Sequence, residues 1–368
     1  MSIEKKRPRG LKGSAASKAN KKAKTEEVSN KLENAQTVVI DKEIEEGDEV
    51  GETAALFENA IEKLDSDPSS ALALLRGTIH ESDRILRNHD DQKDEKPLPA
   101  IFYYTYGSAL YELGRLAEEE DFGPYLDAAE ERLSEGLELK DSEEVIQKIY
   151  LSLAKVWLAK AASTVSQGQQ EIPEMSVKAL EALDKHLVVD AKNVKAVVEL
   201  ADIVQNHGDL YENPESRDKF RLWAENVLEK VLKDEPNNAQ ALSALGLCKL
   251  SLANFILDNM DNSNEDDEKT ERTEEEEKAY KAILESKDYL EKAKATLIEE
   301  DKLSPQILSD LAETYLNEAN LTLKEEEQAE IYTKAADAIK EAKKLIEEKS
   351  LDFTLPEALT SYLEEFEA

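Results

Sequence analysis

Only twelve glycines, ten prolines and one cysteine, Cys248, occur among 368 residues, and aromatic side chains make up 6%. So few chain-breaking residues leave little material for the tight turns of a β-rich fold. The one β-branched run, Thr37 to Ile40, is short and has no obvious partner strand. A single thiol excludes an intrachain disulfide and a thiolate-rich metal site, and it fits a reducing compartment such as the nucleus or cytosol. Only four histidines are present, His80, His89, His186 and His207; none forms a His-x-Glu or His-x-x-x-His spacing, and the His-x-Asp pairs at His89/Asp91 and His207/Asp209 stand alone without a further histidine nearby. No glycine-rich loop suited to cradling phosphate is found. No uninterrupted apolar run approaches the roughly 18 residues of a membrane span, and no apolar signal segment follows the start. A soluble, intracellular, non-catalytic protein without a cofactor or bound metal is expected.

Ala, Leu, Glu and Lys dominate instead, and these are strong helix formers. With 40% hydrophobic residues the chain can bury a sizeable core, so the expected class is all-α. The formal net charge is −35. That argues against direct nucleic-acid binding, which needs clustered bases, while suiting either solubility or a basic partner. The average conceals a split. Residues 1–24 hold nine bases and one acid, leaving the remaining chain at −43. The bases fall in two clusters, Lys5, Lys6, Arg7 and Arg9, then Lys21, Lys22 and Lys24. Eleven residues separate these clusters. This arm lacks apolar side chains and is expected to be disordered. Its spacing resembles a bipartite nuclear-localisation signal read by an import receptor; the alternative is a solvated tail clinging to the acidic body or to RNA. Residues 1–50 are expected to form this tail with an acidic linker, and 51–368 one helical-repeat domain. A second acidic block at about 258–277 reads as an insertion, either a tolerated surface loop or a contact for a basic partner, whose glutamate run can open the next helix.

The repeat is a pairing of large with small residues. Tyr106-Gly107, Leu153-Ala154, Leu200-Ala201, Leu245-Gly246 and Leu311-Ala312 recur at spacings of 47, 47, 45 and 66 residues. Each is followed by a trio at offsets of four and three, as in Ala129/Leu133/Gly136 and Ala224/Leu228/Val231. Such a trio occupies one helix face. Small residues let two antiparallel helices approach, and the large one fills the gap to the next pair. No single pair can bury its apolar face, so the pairs must stack. The segment Asp234-Glu235-Pro236-Asn237-Asn238 resembles a tetratricopeptide junction, although a period near 46 exceeds the usual 34 or so. The expected architecture is therefore a tetratricopeptide-like superhelix of thirteen helices. Every proline outside the tail falls between helices or in a first turn.

In such a stack the first helix of each pair lines the concave side, where partners dock. The groove positions expected there are Tyr104, Ser108, Tyr111, Lys148, Leu151, Lys155, Val198, Asp202, Asn206, Ser243, Leu247, Ser309, Glu313 and Asn317. His186, Cys248, Trp157 and Trp223 read as packed structural residues rather than chemistry.

Several segments together resemble the fungal enhancer-of-translation-termination family, which includes the negative regulator of a prolyl-hydroxylase-like oxygenase. They are Lys6-Arg7-Pro8-Arg9-Gly10-Leu11; Gly77-Thr78-Ile79-His80-Glu81-Ser82-Asp83-Arg84-Ile85-Leu86-Arg87; the helix from Ile101 to Leu110; and the stretches Tyr289–Lys294 and Leu311–Tyr315. The resemblance implies a nuclear adaptor that binds a 2-oxoglutarate- and iron-dependent oxygenase, linking oxygen to hypoxic gene expression and to translation termination through a ribosomal protein. Iron and chemistry would belong to that partner. His80, Glu81, Asp83 and Arg84, the most specific part of the match, would make structural polar bonds or a protein contact. The alternative from charge alone is an acidic chaperone or scaffold for a basic ribosomal or histone protein.

Overall fold

Small residues at fixed spacing do bring helices together in pairs. The structure, a computed structural model, describes residues 47–367 except 65, 93–95, 118–120, 140, 167–170, 190–192 and 261–270. Among the described residues there are thirteen helices and no strand. They are α1 (Glu49–Lys63), α2 (Pro68–Gln92), α3 (Ala100–Leu116), α4 (Phe122–Leu137), α5 (Glu143–Ala162), α6 (Glu174–His186) and α7 (Val194–Gly208). The series continues with α8 (Pro214–Asp234), α9 (Ala239–Asp258), α10 (Glu274–Glu299), α11 (Pro305–Asn320), α12 (Glu325–Lys349) and α13 (Glu357–Glu367). The basic clusters at Lys5–Arg9 and Lys21–Lys24 lie outside the described residues.

Consecutive helices form six antiparallel pairs, α1/α2 to α11/α12, with α13 closing the end. Odd-numbered helices also touch one another along the stack, whereas even-numbered ones do not. The odd helices therefore line the inner, concave wall. The sequence repeat is the packing itself: a Cβ placed on Gly107 would lie 2.6 Å from Leu133 Cγ and 3.0 Å from the Ala129 carbonyl, and one on Gly246 would lie 2.7 Å from Leu290 Cγ. Leu133, Leu153, Leu200, Leu228, Leu245 and Leu290 are fully buried at these seams. Gly246→Ala is accordingly expected to cost about 1–3 kcal/mol by overpacking. Gly77, also mid-helix, has nothing within 4 Å of a notional Cβ, so Gly77→Ala should gain up to about 1 kcal/mol from helix propensity. Thermal denaturation of the two variants should move in opposite directions.

A second device locks successive pairs. The residue four places after the large one on three inner helices donates to a glutamate on the preceding outer helix. Trp157 Nε1 reaches Glu130 at 2.9 Å, Lys249 Nζ reaches Glu225 at 3.0 Å, and the Tyr315 hydroxyl reaches Glu291 at 2.8 Å.

Helix ends follow the sequence closely. In the Asp-Glu-Pro-Asn-Asn turn, Asn238 caps α9 by accepting from the Ala241 amide at 2.9 Å, and its own amide donates to Glu235 at 2.8 Å. Thr273 and Glu276 form a reciprocal capping box, so the glutamate run opens α10 with four acids in its first turn, where the helix dipole favours them. The first helix starts at Glu49, just before the expected domain start at 51, because Asp48 supplies a cap by accepting from Gly51. By length and composition alone α9 is apolar enough to cross a membrane. It packs instead against α7, α8, α10 and α11.

One junction differs. The backbones of α6 and α7 do not approach closely, and the third and fourth pairs are joined through α5 against α7. Side chains bridge the gap. Trp223 on α8 donates to Asp184 on α6 at 2.7 Å, and His207 on α7 lies 2.8 Å from the Ser176 hydroxyl on α6.

Candidate interaction groove

The inner wall changes character along its length. At its first station the expected groove residues are covered. Tyr104 meets Phe57 of α1 edge-on with ring centroids 6.0 Å apart, and burial pushes its hydroxyl up to about 12. Tyr111 is buried against Phe122, and Ser108 is buried in a 2.9 Å hydrogen bond with Ser152 of α5. These three are core or seam residues, because α1 lies against Tyr104, the start of α4 against Tyr111 and α5 against Ser108. Lys148 is spent on an ion pair with Glu144 of its own helix, at 2.8 Å. Lys155 bridges α3 and α7, pairing with Glu112 at 3.8 Å and with Glu199.

Further along, the wall opens. A cavity of about 260 Å³ lies where α7, α9 and α11 meet, and Asp202, Asn206 and Glu313 line it. Gln205, Asp209, Ser251 and Asn254 complete its polar lining, with Ala244 and Leu247 among the apolar lining residues. Asn317 joins by donating to Asn254 Oδ1 at 2.8 Å, while the Asn254 amide nitrogen donates to Glu313 at 2.9 Å. Asn206 donates to Asp202 at 3.1 Å. Burial, with Glu199 and Asp209 adding repulsion, holds the Asp202 carboxyl above the usual carboxylate range despite the bond from Asn206. Arg217 neutralises Asp209 at 2.5 Å and rests on Phe255, 4.6 Å from its ring centre.

Sequence reasoning missed Gln205, Asp209, Ser251 and Asn254. A signal existed for two of them: Asn254 is seven residues beyond Leu247 and Ser251 four, so both continue the same helix face. Of the expected positions at the centre, Leu247 lines the cavity, whereas Ser243 is half-buried outside its lining and Val198 packs in the core. Leu151 packs against the core and Ser309 donates to the Pro305 carbonyl at 3.0 Å, so neither presents a polar group to the groove. Next to Ser309, Asp310 is buried, accepts from Gln306 at 2.7 Å and leaves Oδ2 unpartnered; burial pushes its carboxyl up to about 6.

The residues read as structural are so placed. His186 stacks on Tyr150 with centroids 3.9 Å apart. Trp157 is buried, and Trp223 packs beside the core. Cys248 is 2% exposed, and burial raises its thiol above the ordinary range, which disfavours the thiolate. In the family-like segment on α2, His80 is exposed while Asp83 accepts from the Tyr106 hydroxyl. Arg84 ties Glu81 to Glu49 of α1 at 2.7 and 2.9 Å. That segment fastens the first two pairs together. No cluster of three or more metal-ligating side chains occurs among the described residues.

Residues 1–218 match the sequence model of a family described as nuclear pore complex subunit Nro1. The chain is similar to the Schizosaccharomyces pombe protein named negative regulator of ofd1, 36% identical over 135 residues, 34% of this chain and 33% of that one. It is also similar to enhancer of translation termination 1 of Candida albicans, 32% identical over 156 residues, 40% of this chain and 36% of that one. The matched stretch thus spans about a third of the length of each of these two relatives. A solved structure described as the S. pombe nuclear import adaptor Nro1 superposes over 87% of this chain and 99% of its own, with TM-score 0.54 and 23% identity. A second, described as the hypoxic regulator of sterol synthesis Nro1, gives a TM-score of 0.52 at 24% identity over 87% of this chain and 93% of its own. These two likenesses show a shared helical fold.

Proposed function

This chain belongs to the Nro1 family, and we propose on that premise that it is a nuclear adaptor that binds a 2-oxoglutarate- and iron-dependent oxygenase and carries it with its own basic arm. The observation behind the reading is the inner wall. It runs along successive odd helices and, past the closed first station, presents carboxylates and amides rather than a nucleophile with a base. A surface of this kind recognises another protein, and the iron and the oxidation belong to that protein. The relatives' names point the same way: one is a negative regulator of ofd1, others enhance translation termination, and a structural neighbour is called a nuclear import adaptor. The tail at Lys5, Lys6, Arg7, Arg9, Lys21, Lys22 and Lys24 is the part of the chain suited to an import receptor.

Affinity purification of the full chain at high and low oxygen tests the reading. An iron/2-oxoglutarate oxygenase should be recovered. Changing Lys21, Lys22 and Lys24 to alanine should disperse the nuclear pool of both proteins while leaving their complex intact. Recovery of no such oxygenase under either condition ends the adaptor reading. The −43 body supports a second reading, an acidic chaperone for a basic ribosomal or histone protein. Its mark is retention of a basic partner that falls steeply with salt, since exposed pairs are screened within about 8–10 Å.

A further inference from the structure

We propose that the cavity between α7, α9 and α11 seats an arginine side chain from an extended segment of a partner protein. Three acids of the inner wall already have a cation. Glu112 is paired with Arg115 at 2.8 Å, Glu199 with Lys155, and Asp209 with Arg217 at 2.5 Å. Asp202 and Glu313 have only the amide donors Asn206 and Asn254. Both line the same cavity. Two carboxylates on different helices thus face one space without a cation among the described residues.

Gln205 supplies an independent pointer. It is 5% exposed and lines that cavity. Its Nε2 donates to Asp209 Oδ1 at 2.9 Å, and because an ionised carboxylate only accepts, this fixes which end of the amide is nitrogen. The other end, Oε1, has no hydrogen-bond partner. A buried acceptor left unmatched is costly; Oε1 is covered, so a side chain that enters the cavity and shifts the Gln205 amide enough to donate to it relieves that cost. The chemistry needed is a cation with several donors in different directions, plus an apolar stem to lie against Leu247 and Ala244. A guanidinium offers five donors in a plane and is weakly hydrated, whereas an ammonium is a compact point charge that holds its water. The volume, about 260 Å³, falls below the roughly 300–1,000 Å³ of small-ligand pockets and suits one side chain. An extended segment is the fitting carrier, since the wall is a trough between rods. The inference deepens the adaptor reading by giving its partner a contact residue, yet its geometry stands without the oxygenase.

The test uses the full chain and a fluorescent Ala-Gly-Arg-Gly-Ala peptide, with citrulline replacing arginine in the control, read by anisotropy at low salt. Citrulline keeps the shape and loses the charge. The arginine peptide should bind at least about tenfold more tightly than the citrulline one. Asp202→Gln with Glu313→Gln should remove that preference, while Glu326→Gln with Glu330→Gln, an equal charge change on α12, should leave it. Equal binding of the two peptides, no measurable binding of either, or equal loss in both double variants would overturn the proposal. So would a tenfold gain on changing Arg7 and Arg9 to glutamine, because the cavity would then belong to the chain's own arm. An oxygenase pull-down that fails while the peptide preference persists would sink the adaptor reading and spare this one.

Discussion

Replacing Glu225 with leucine should destabilise the protein by about 3 kcal/mol, the lower end of the range for breaking a buried ion pair. Glu225 sits on α8 with only 8% of its side chain exposed. Its two oxygens serve Arg221 at 2.6 Å and Lys249 of α9 at 3.0 Å, and both cations are nearly as buried. Burial works against the charge on Lys249, but its bonds to Glu225 and Glu285 outweigh that and hold the ammonium above the usual lysine range. Leucine would leave two buried cations facing an apolar side chain. Asp218 and Glu285, at 2.9 and 3.2 Å, are half-exposed and relieve only part of the cost. Urea denaturation measures the loss. Adding Arg221→Met and Lys249→Met should restore most of it, since an apolar cluster of similar volume often matches a buried ion network. A single-variant loss below about 1 kcal/mol would mean that this seam is solvated like an ordinary surface pair.

The same network marks what a sequence can and cannot reveal. Gly107 against Leu133 and Gly246 against Leu290 were legible because the small-large period is the packing, and both partners lie within one repeat. The Thr273 capping box was legible in outline because the acids that favour a helix start were already a run. Glu225 was not, since one glutamate among 82 acidic residues carries no signal until α9 brings Lys249 against it. The groove divides in the same way. Asp202, Asn206 and Glu313 fall where a helix-face count puts them. Tyr104 and Tyr111 satisfy the same count but are covered, because whether a face is open depends on the next element in the stack. For Tyr104 that element is α1, and for Tyr111 it is the start of α4. Periodicity specifies direction around a helix; it does not specify what stands opposite.

The junction between the third and fourth pairs should weaken in acid through His207. This residue is 4% exposed, lies 2.8 Å from the Ser176 hydroxyl and 3.1 Å from that of Tyr211, and meets Phe220 edge-on at 5.0 Å. No carboxylate is among these neighbours. Burial therefore favours the neutral ring and pulls the group down to about 4 from an ordinary 6.5. Between those values the unfolded chain takes up a proton that the folded chain refuses. Stability is thus unaffected by this group above about pH 6.5 and falls as pH drops, by about 2 kcal/mol near pH 5 and about 3 kcal/mol near pH 4. Asp310 acts with the opposite sign in the same window: its raised carboxyl binds a proton in the fold first, so its contribution is lost as pH rises through about 6. In wild type the two partly cancel. Asp310→Asn removes the opposing group, and urea midpoints of that variant should drop between neutral pH and pH 5, while adding His207→Gln should flatten the difference. If the two curves run parallel, the ring is already solvated. Because α6 and α7 share no backbone contact, a charged His207 acts at the point where least else joins the two halves of the stack. Amide exchange in α6 and α7 should then rise before exchange in α9 or α11.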